Sequence, residues 1–276
     1  MPPHRGSDRP RPERFAGLHH VDSGTAELAE NRSDPGGWSI RLNGLASSYV
    51  HVDDPTRLDF EYMQWTGHVL DVVAPPRSPL SVVHLGGAGC TLALYVAATR
   101  PGSPQTVFEI DAVLVRLMRQ AFGLRAVRGL RLKTMDGLEG LRSLPDAYST
   151  VVIRDAFDGA EVPRHLTDVA FYREAARVLT DGGVYIGNVA DTAQVREARI
   201  DAATALEVFA NVAMIAEPGQ LRGRRYGNVL LVASQAPLPD DGLVRKLAGG
   251  AVRARYVEPS RVRELVAGVK PRLSPS

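Results

Sequence analysis

The chain has 276 residues, 44% of them hydrophobic and 23% charged, with 33 basic against 31 acidic side chains, a length that supports one good-sized core with appendages. A net charge of +2 gives no global field of the kind nucleic-acid binders carry, and one cysteine, Cys90, rules out an intramolecular disulfide or a cysteine-built metal cluster. The longest apolar runs, such as residues 151–153 and 229–233, fall far short of the roughly 20 residues that span a bilayer.

Residues 1–36 mix Pro, Arg, Gly, Ser and Asp with few bulky apolar side chains, and they hold no apolar core of a signal peptide. A disordered tail is expected there, on a protein of the reducing cytoplasm. From residue 37 the texture changes: Trp38-Ser39-Ile40-Arg41-Leu42 alternates apolar and polar, Asn43-Gly44 is a hairpin turn pair, and residues 47–52 resume as a second strand. Leu58, Tyr62, Trp65 and Val69 then share one face of a helix, which Pro75 and Pro76 end, so residues 37–76 read as a small N-terminal β-hairpin region. Over 77–235, short β-branched runs alternate with amphipathic helices, the signature of an α/β domain with a largely parallel sheet. The predicted strands are 81–85, 106–110, 130–135, 150–155 and 184–189. The predicted helices are 91–99, 111–122, 167–179 and 193–211, the third closed by Asp181-Gly182-Gly183. Residues 212–216 and 228–233 look like a closing antiparallel pair. The segment 236–276, with eight Lys/Arg between Arg245 and Arg272, reads as a basic tail or peripheral helix.

The strand 82–85 runs into Gly86-Gly87-Ala88-Gly89 and then a helix, where glycines permit close backbone approach and the helix start offers unpaired N–H groups to a ligand. The next strand ends in Phe108-Glu109-Ile110-Asp111, with Glu109 twenty-two positions after Gly87, the place from which a carboxylate accepts ribose hydroxyls. Met135-Asp136-Gly137 and Arg154-Asp155-Ala156-Phe157-Asp158 end the following strands, so four strands deliver groups to one sheet edge. Duller readings stand beside these. Asp111 and Asp136 suit helix N-caps, Asp155 and Asp158 suit an exposed loop, Tyr62 suits the core, and Cys90 and His84 suit simple burial. The loop lacks the G-x-G-x-x-G order, which favours a sulfonium nucleoside over a dinucleotide.

The order and spacing of His84-Leu85-Gly86-Gly87-Ala88-Gly89, Val107-Phe108-Glu109-Ile110-Asp111, Met135-Asp136-Gly137, Asp155-Ala156-Phe157-Asp158 and Val162-Pro163-Arg164-His165-Leu166-Thr167 resemble the spermidine synthase (aminopropyltransferase) family, in its bacterial spermidine synthase-like branch. The resemblance runs from about residue 42 to 234. It implies a Rossmann-like, class I methyltransferase-type sheet of seven strands preceded by a small N-terminal β domain, assembled as a homodimer. It also implies decarboxylated S-adenosylmethionine as group donor, a di- or polyamine as acceptor, and no metal. By motif match, Glu109 holds the ribose, Asp136 and Gly137 sit by the adenine, and Gly86, Gly87 and Gly89 cradle the nucleoside. Asp155 is the catalytic carboxylate, and Asp158 and Tyr62 lie on the amine side. Three places depart from the family pattern, the first being Gly159-Ala160-Glu161, which replaces an expected proline-glycine-proline. Gly89 stands where the family's glycine loop carries an aspartate, and Ser47 where its hairpin carries a glutamine.

Three readings follow. The first is aminopropyl transfer. The second is methyl transfer from S-adenosylmethionine itself, motivated by the missing loop carboxylate. The third is a nucleoside-binding scaffold without catalysis. Nucleic acid and membranes are not expected as partners.

Overall fold

The computed structural model describes residues 10–87, 89–192, 194–250 and 253–274. The chain enters through a short 3-10 turn, Pro12–Phe15, and four antiparallel strands, β1 (Gly17–Val21), β2 (Gly24–Glu30), β3 (Gly37–Leu42) and β4 (Leu45–His51), in the order β1-β2-β3-β4. The helix α1 (Glu61–Val73) leads into a second sheet. Its parallel part interleaves β5 (Val82–Leu85), α2 (Thr91–Thr99), β6 (Gln105–Glu109), α3 (Ala112–Ala121), β7 (Leu130–Thr134), α4 (Gly137–Arg142), β8 (Ser149–Arg154), α5 (Val169–Val178) and β9 (Leu179–Asp191). Then come α6 (Arg196–Ala205), β10 (Asn211–Ala216), α7 (Pro218–Leu221), β11 (Gly227–Ser234), α8 (Asp240–Gly249), β12 (Arg255–Val257) and α9 (Pro259–Leu265).

The order across this sheet is β12-β10-β11-β9-β8-β5-β6-β7, and β10, β11 and β12 pair antiparallel. It therefore has eight strands, one more than expected, because three residues at 255–257 add to the outer edge of β10. From β5 the chain steps one way to β6 and later the other way to β8, which opens a crevice beyond the carboxyl ends of these strands.

The largest departure from expectation lies at the start of the chain. Residues 17–30 form strands rather than a disordered tail; residues 1–9 lie outside the described residues. Within a polar composition, Ala26 and Leu28 alternate inward and share a core with Val21, Trp38 and Ile40 of the same sheet and with Leu114, Leu117 and Met118 of α3. The apolar partners that stabilise β2 lie almost ninety residues downstream, so local composition understated its order. In the segment 236–276 the described residues take the helical alternative and pack on the sheet: Leu243 and Leu247 of α8 and Val262 of α9 are buried. Between them, Lys246 pairs with Asp71 of α1 at 3.0 Å.

Two helices are shorter than predicted. α5 ends at Val178 and passes straight into β9, so Gly182, at φ +71°, bends a strand instead of closing a helix. α6 ends at Ala205, after which the chain turns to bury Phe209 before β10.

Candidate active site

The loop after β5 is tightly packed against the ends of the neighbouring strands. Gly86 has φ +88°, and a Cβ there would lie 2.3 Å from the carbonyl oxygen of Asp155. This close approach joins the ends of β5 and β8. At Gly87 a Cβ would lie 2.8 Å from Val107 Cγ1, and its N–H donates to Glu109 Oε2 at 2.8 Å. Gly89 points elsewhere. A Cβ there would meet Ser48 Oγ at 2.8 Å, Val50 Cγ2 at 2.9 Å and Ile40 Cδ1 at 3.0 Å, so position 89 faces the N-terminal sheet, where an aspartate would collide. The glycine at this position thus goes with the close packing of the loop on the N-terminal sheet. Ala88 lies outside the described residues.

Glu109 ends β6 with both carboxylate oxygens engaged, Oε2 by Gly87 and Oε1 by the N–H of Asp111 at 3.1 Å. Asp111 itself caps α3, accepting from Leu114 N at 2.7 Å, and its other oxygen takes two bonds from Ser23 at the β1–β2 turn. Asp22 of that turn accepts from Ala112 N and Val113 N. The tip of the first hairpin thus docks on the helix that follows Glu109.

Asp136 caps α4 through Oδ1, which accepts from Leu138 N at 2.9 Å and Glu139 N at 3.2 Å, while His165 Nε2 donates to Oδ2 at 2.7 Å. Burial works to raise its pKa, but His165 and the two amides outweigh it and hold the carboxyl below its usual value. Gly137 begins α4 against Leu85 and Leu166. Three large apolar side chains, Ile110, Met135 and Phe157, stay exposed just past the ends of β6, β7 and β8.

Across the crevice, Asp155 is held by groups from two other elements. Tyr62 Oη on α1 donates to its Oδ2 at 2.9 Å, and Asn188 Nδ2 on β9 donates to its Oδ1 at 3.1 Å. Burial lifts the Asp155 carboxyl above the usual carboxylate range, with Asn188, Tyr62 and Arg154 each pulling part of the way back. The Tyr62 phenol is pushed up by the same burial and by the neighbouring carboxylate, so it remains a donor at neutral pH. With Nδ2 facing an acceptor-only carboxylate, Asn188 Oδ1 is left buried without a partner.

The structure therefore brings Tyr62 to Asp155, and Gly87 to Glu109, and packs Gly86 against the backbone of Asp155. Asp158 is not part of that contact set. It sits in an exposed turn, its N–H donating to Glu161 O at 2.8 Å, with Gly159 at φ +60°. Several expected bystanders are such: His84 is buried on Gln105 at 2.9 Å with its pKa lowered to about 4, and the Cys90 thiol is pushed up to about 12 by burial. Ser47 Oγ donates to Leu45 O within the β3–β4 turn. His68 lies near Lys246 and Asp71, and burial holds its pKa below the usual value.

Sequence reasoning missed Asn188, His165, Asp22 and Ser23. The one available signal for Asn188 was a polar residue interrupting the apolar run 184–189 of a buried strand. Two surface depressions, of about 370 and 440 Å³, lie beside α8 and beside β7 and share none of these residues. Among the described residues no group of three or more His, Cys, Asp or Glu side chains could hold a metal ion, and no helix is long and apolar enough to cross a membrane.

No protein-family model matches the chain. It is 24% identical over 194 residues to the polyamine aminopropyltransferase of Vibrio vulnificus, a match covering 70% of this chain and 62% of that protein, so it spans less than two thirds of that relative's length. Its fold matches that of a spermidine synthase solved in complex with the transition-state analogue AdoDATO, at 16% identity and TM-score 0.63 over 91% of this chain and 88% of the other. A probable spermidine synthase from Corynebacterium glutamicum is 35% identical, with TM-score 0.87 over 95% of this chain and 97% of that one. That identity, sustained over nearly the full length of the Corynebacterium protein and through both sheets, places this chain in the spermidine synthase family.

Proposed function

We propose that this protein transfers an aminopropyl group from decarboxylated S-adenosylmethionine to a di- or polyamine. The observation that carries this reading is Asp155, held by Tyr62 and Asn188 at the edge of the sheet where Gly87 donates to Glu109, in the loop this reading gives to the nucleoside. Family membership, and the polyamine aminopropyltransferase name of the Vibrio relative, support it.

In this reading Glu109 turns its carboxylate to the ribose hydroxyls, and Asp136 and Gly137 border the adenine beside Ile110 and Met135. Asp155 accepts a hydrogen bond from the attacking amine, aligning the nitrogen lone pair with the methylene carbon attached to the sulfonium. The new C–N bond forms as the C–S bond breaks, and the electron pair stays on sulfur, which leaves as the neutral thioether methylthioadenosine. Asp155 then takes the proton released by the amine, a transfer favoured by the raised basicity that burial confers. Asp158, in the exposed turn beyond, faces the far ammonium of the acceptor.

The test is direct. Purified protein incubated with decarboxylated S-adenosylmethionine and a panel of diamines should release methylthioadenosine, read by chromatography. Release with none of them overturns the proposal.

A further inference from the structure

Arg154 ends β8 one residue before Asp155, so the two side chains leave the sheet on opposite faces. Its guanidinium is fully buried and pairs with the equally buried Asp201 of α6 at 2.7 Å. The same group donates to the carbonyl oxygens of Leu166 at 2.8 Å and Asn188 at 3.2 Å, and Tyr172 Oη donates to Asp201 Oδ1 at 2.7 Å. Arg154 Nε is left without a partner. None of these side chains is used in the reaction as described above.

Stability is a poor account of this arrangement. Exchanging a buried ion pair for well-packed apolar residues is often neutral or favourable, because desolvating two charges offsets their attraction. Its connections are more telling. Asn188 is held by its backbone oxygen from Arg154 on one face of the sheet, and through its side chain it holds Asp155 on the other.

We propose that the Arg154–Asp201 pair is the positioning device for Asp155: the guanidinium anchors Asn188, and Asn188 orients the carboxylate toward the crevice. For its effect on turnover this rests on the aminopropyl-transfer reading; the positioning itself exists in the free protein. The charged and titratable groups around Asp155 are Tyr62 from α1 and Arg154 from its own strand, with Asp201 of α6, Tyr172 of α5 and Tyr185 of β9 behind the guanidinium. Burial keeps all three phenols protonated, so Arg154 is the charge that acts directly on the carboxylate, with Asp201 as the partner that pairs it.

The two partners then make opposite predictions. Arg154→Met removes a cation and should raise the Asp155 pKa by about one unit. Asp201→Asn leaves that cation uncompensated and should lower it. Arg154→Lys keeps the charge without the planar fork, so it should titrate near wild type yet lose about tenfold in turnover. The measurement is a ¹³C-carboxyl NMR titration of Asp155 in the free full-length protein, with near-UV circular dichroism to verify the fold. Shifts in opposite directions support the proposal; unchanged titrations, or shifts in the same direction, overturn it. Should either single variant fail to fold, the double variant Arg154→Met/Asp201→Leu removes both charges and refills the volume. A raised Asp155 pKa in that protein supports the proposal, and an unchanged one overturns it. A wild-type protein that releases no methylthioadenosine sinks the proposed function and leaves the titration readable.

Discussion

The two walls of the crevice are built by different means. On the wall proposed to take the nucleoside, Gly87, Glu109, Asp111 and Asp136 are fixed mainly by backbone amides close in sequence to the ends of β5, β6 and β7. On the wall proposed to take the amine, Asp155 is fixed by side chains 93 residues before it and 33 after it, and by a buried ion pair behind. Backbone amides serve any sequence that makes the turn, whereas the side-chain set exists only once α1, β8, β9 and α6 have all assembled. The first wall is therefore a local property and the second a global one, which predicts that substitutions will separate nucleoside affinity from turnover.

The largest effect is expected at Asp155. Asp155→Asn should reduce kcat by about 10²–10⁴-fold and leave methylthioadenosine affinity within about twofold. Calorimetry beside steady-state kinetics checks both, and a parallel loss of nucleoside affinity would break the separation of the walls. Gly86, where the walls touch, should be nearly as sensitive. Gly86→Ala combines an unfavourable φ with a backbone clash and should cost about 3 kcal/mol or more in urea unfolding. Gly159→Ala, at φ +60° with open space around it, should cost about 1 kcal/mol.

Glu109→Ala should weaken methylthioadenosine binding about tenfold to a hundredfold while kcat at saturating donor changes little. A fall in kcat as large as that for Asp155→Asn would contradict the division. Tyr62→Phe should lower kcat about tenfold and move the acid limb of the pH–rate profile upward, since the phenol bond pulls the raised Asp155 pKa back toward normal.

The smallest effect concerns Asp136. Its folded-state pKa is depressed, so it contributes stability that is present above the usual carboxylate value and lost as pH falls through the folded value. His165→Ala should therefore start acid unfolding at a higher pH, by under about 1 kcal/mol because the pair is partly exposed. Thermal melts between pH 3 and pH 6 would show it.

Glycines after a strand, an acid about twenty residues on, and alternating β and α periods are local patterns, and they located the central sheet and the strand ends that carry Gly87, Glu109 and Asp136. The same patterns put Asp155 at the carboxyl end of β8. They did not reveal that Tyr62, buried in the core, also donates to Asp155, because the two meet only when α1 packs on the sheet. Nor could they reveal Asn188 or Arg154, because Arg154 reaches Leu166, Asn188 and Asp201, and Asn188 reaches Asp155, only after distant segments have packed together.

The sequence by itself determined the parallel strands β5 to β9 with α2, α3 and α5 between them, the glycine turn after β5, and which strand ends carry carboxylates, since each follows from short-range sterics and periodicity. Tertiary structure alone decided that the first strands and the basic C-terminal segment fold onto the core, that position 89 faces the N-terminal sheet, and that Asp155 is held in a buried side-chain network. Each of these depends on partners many tens of residues away, whose burial energy no local window contains.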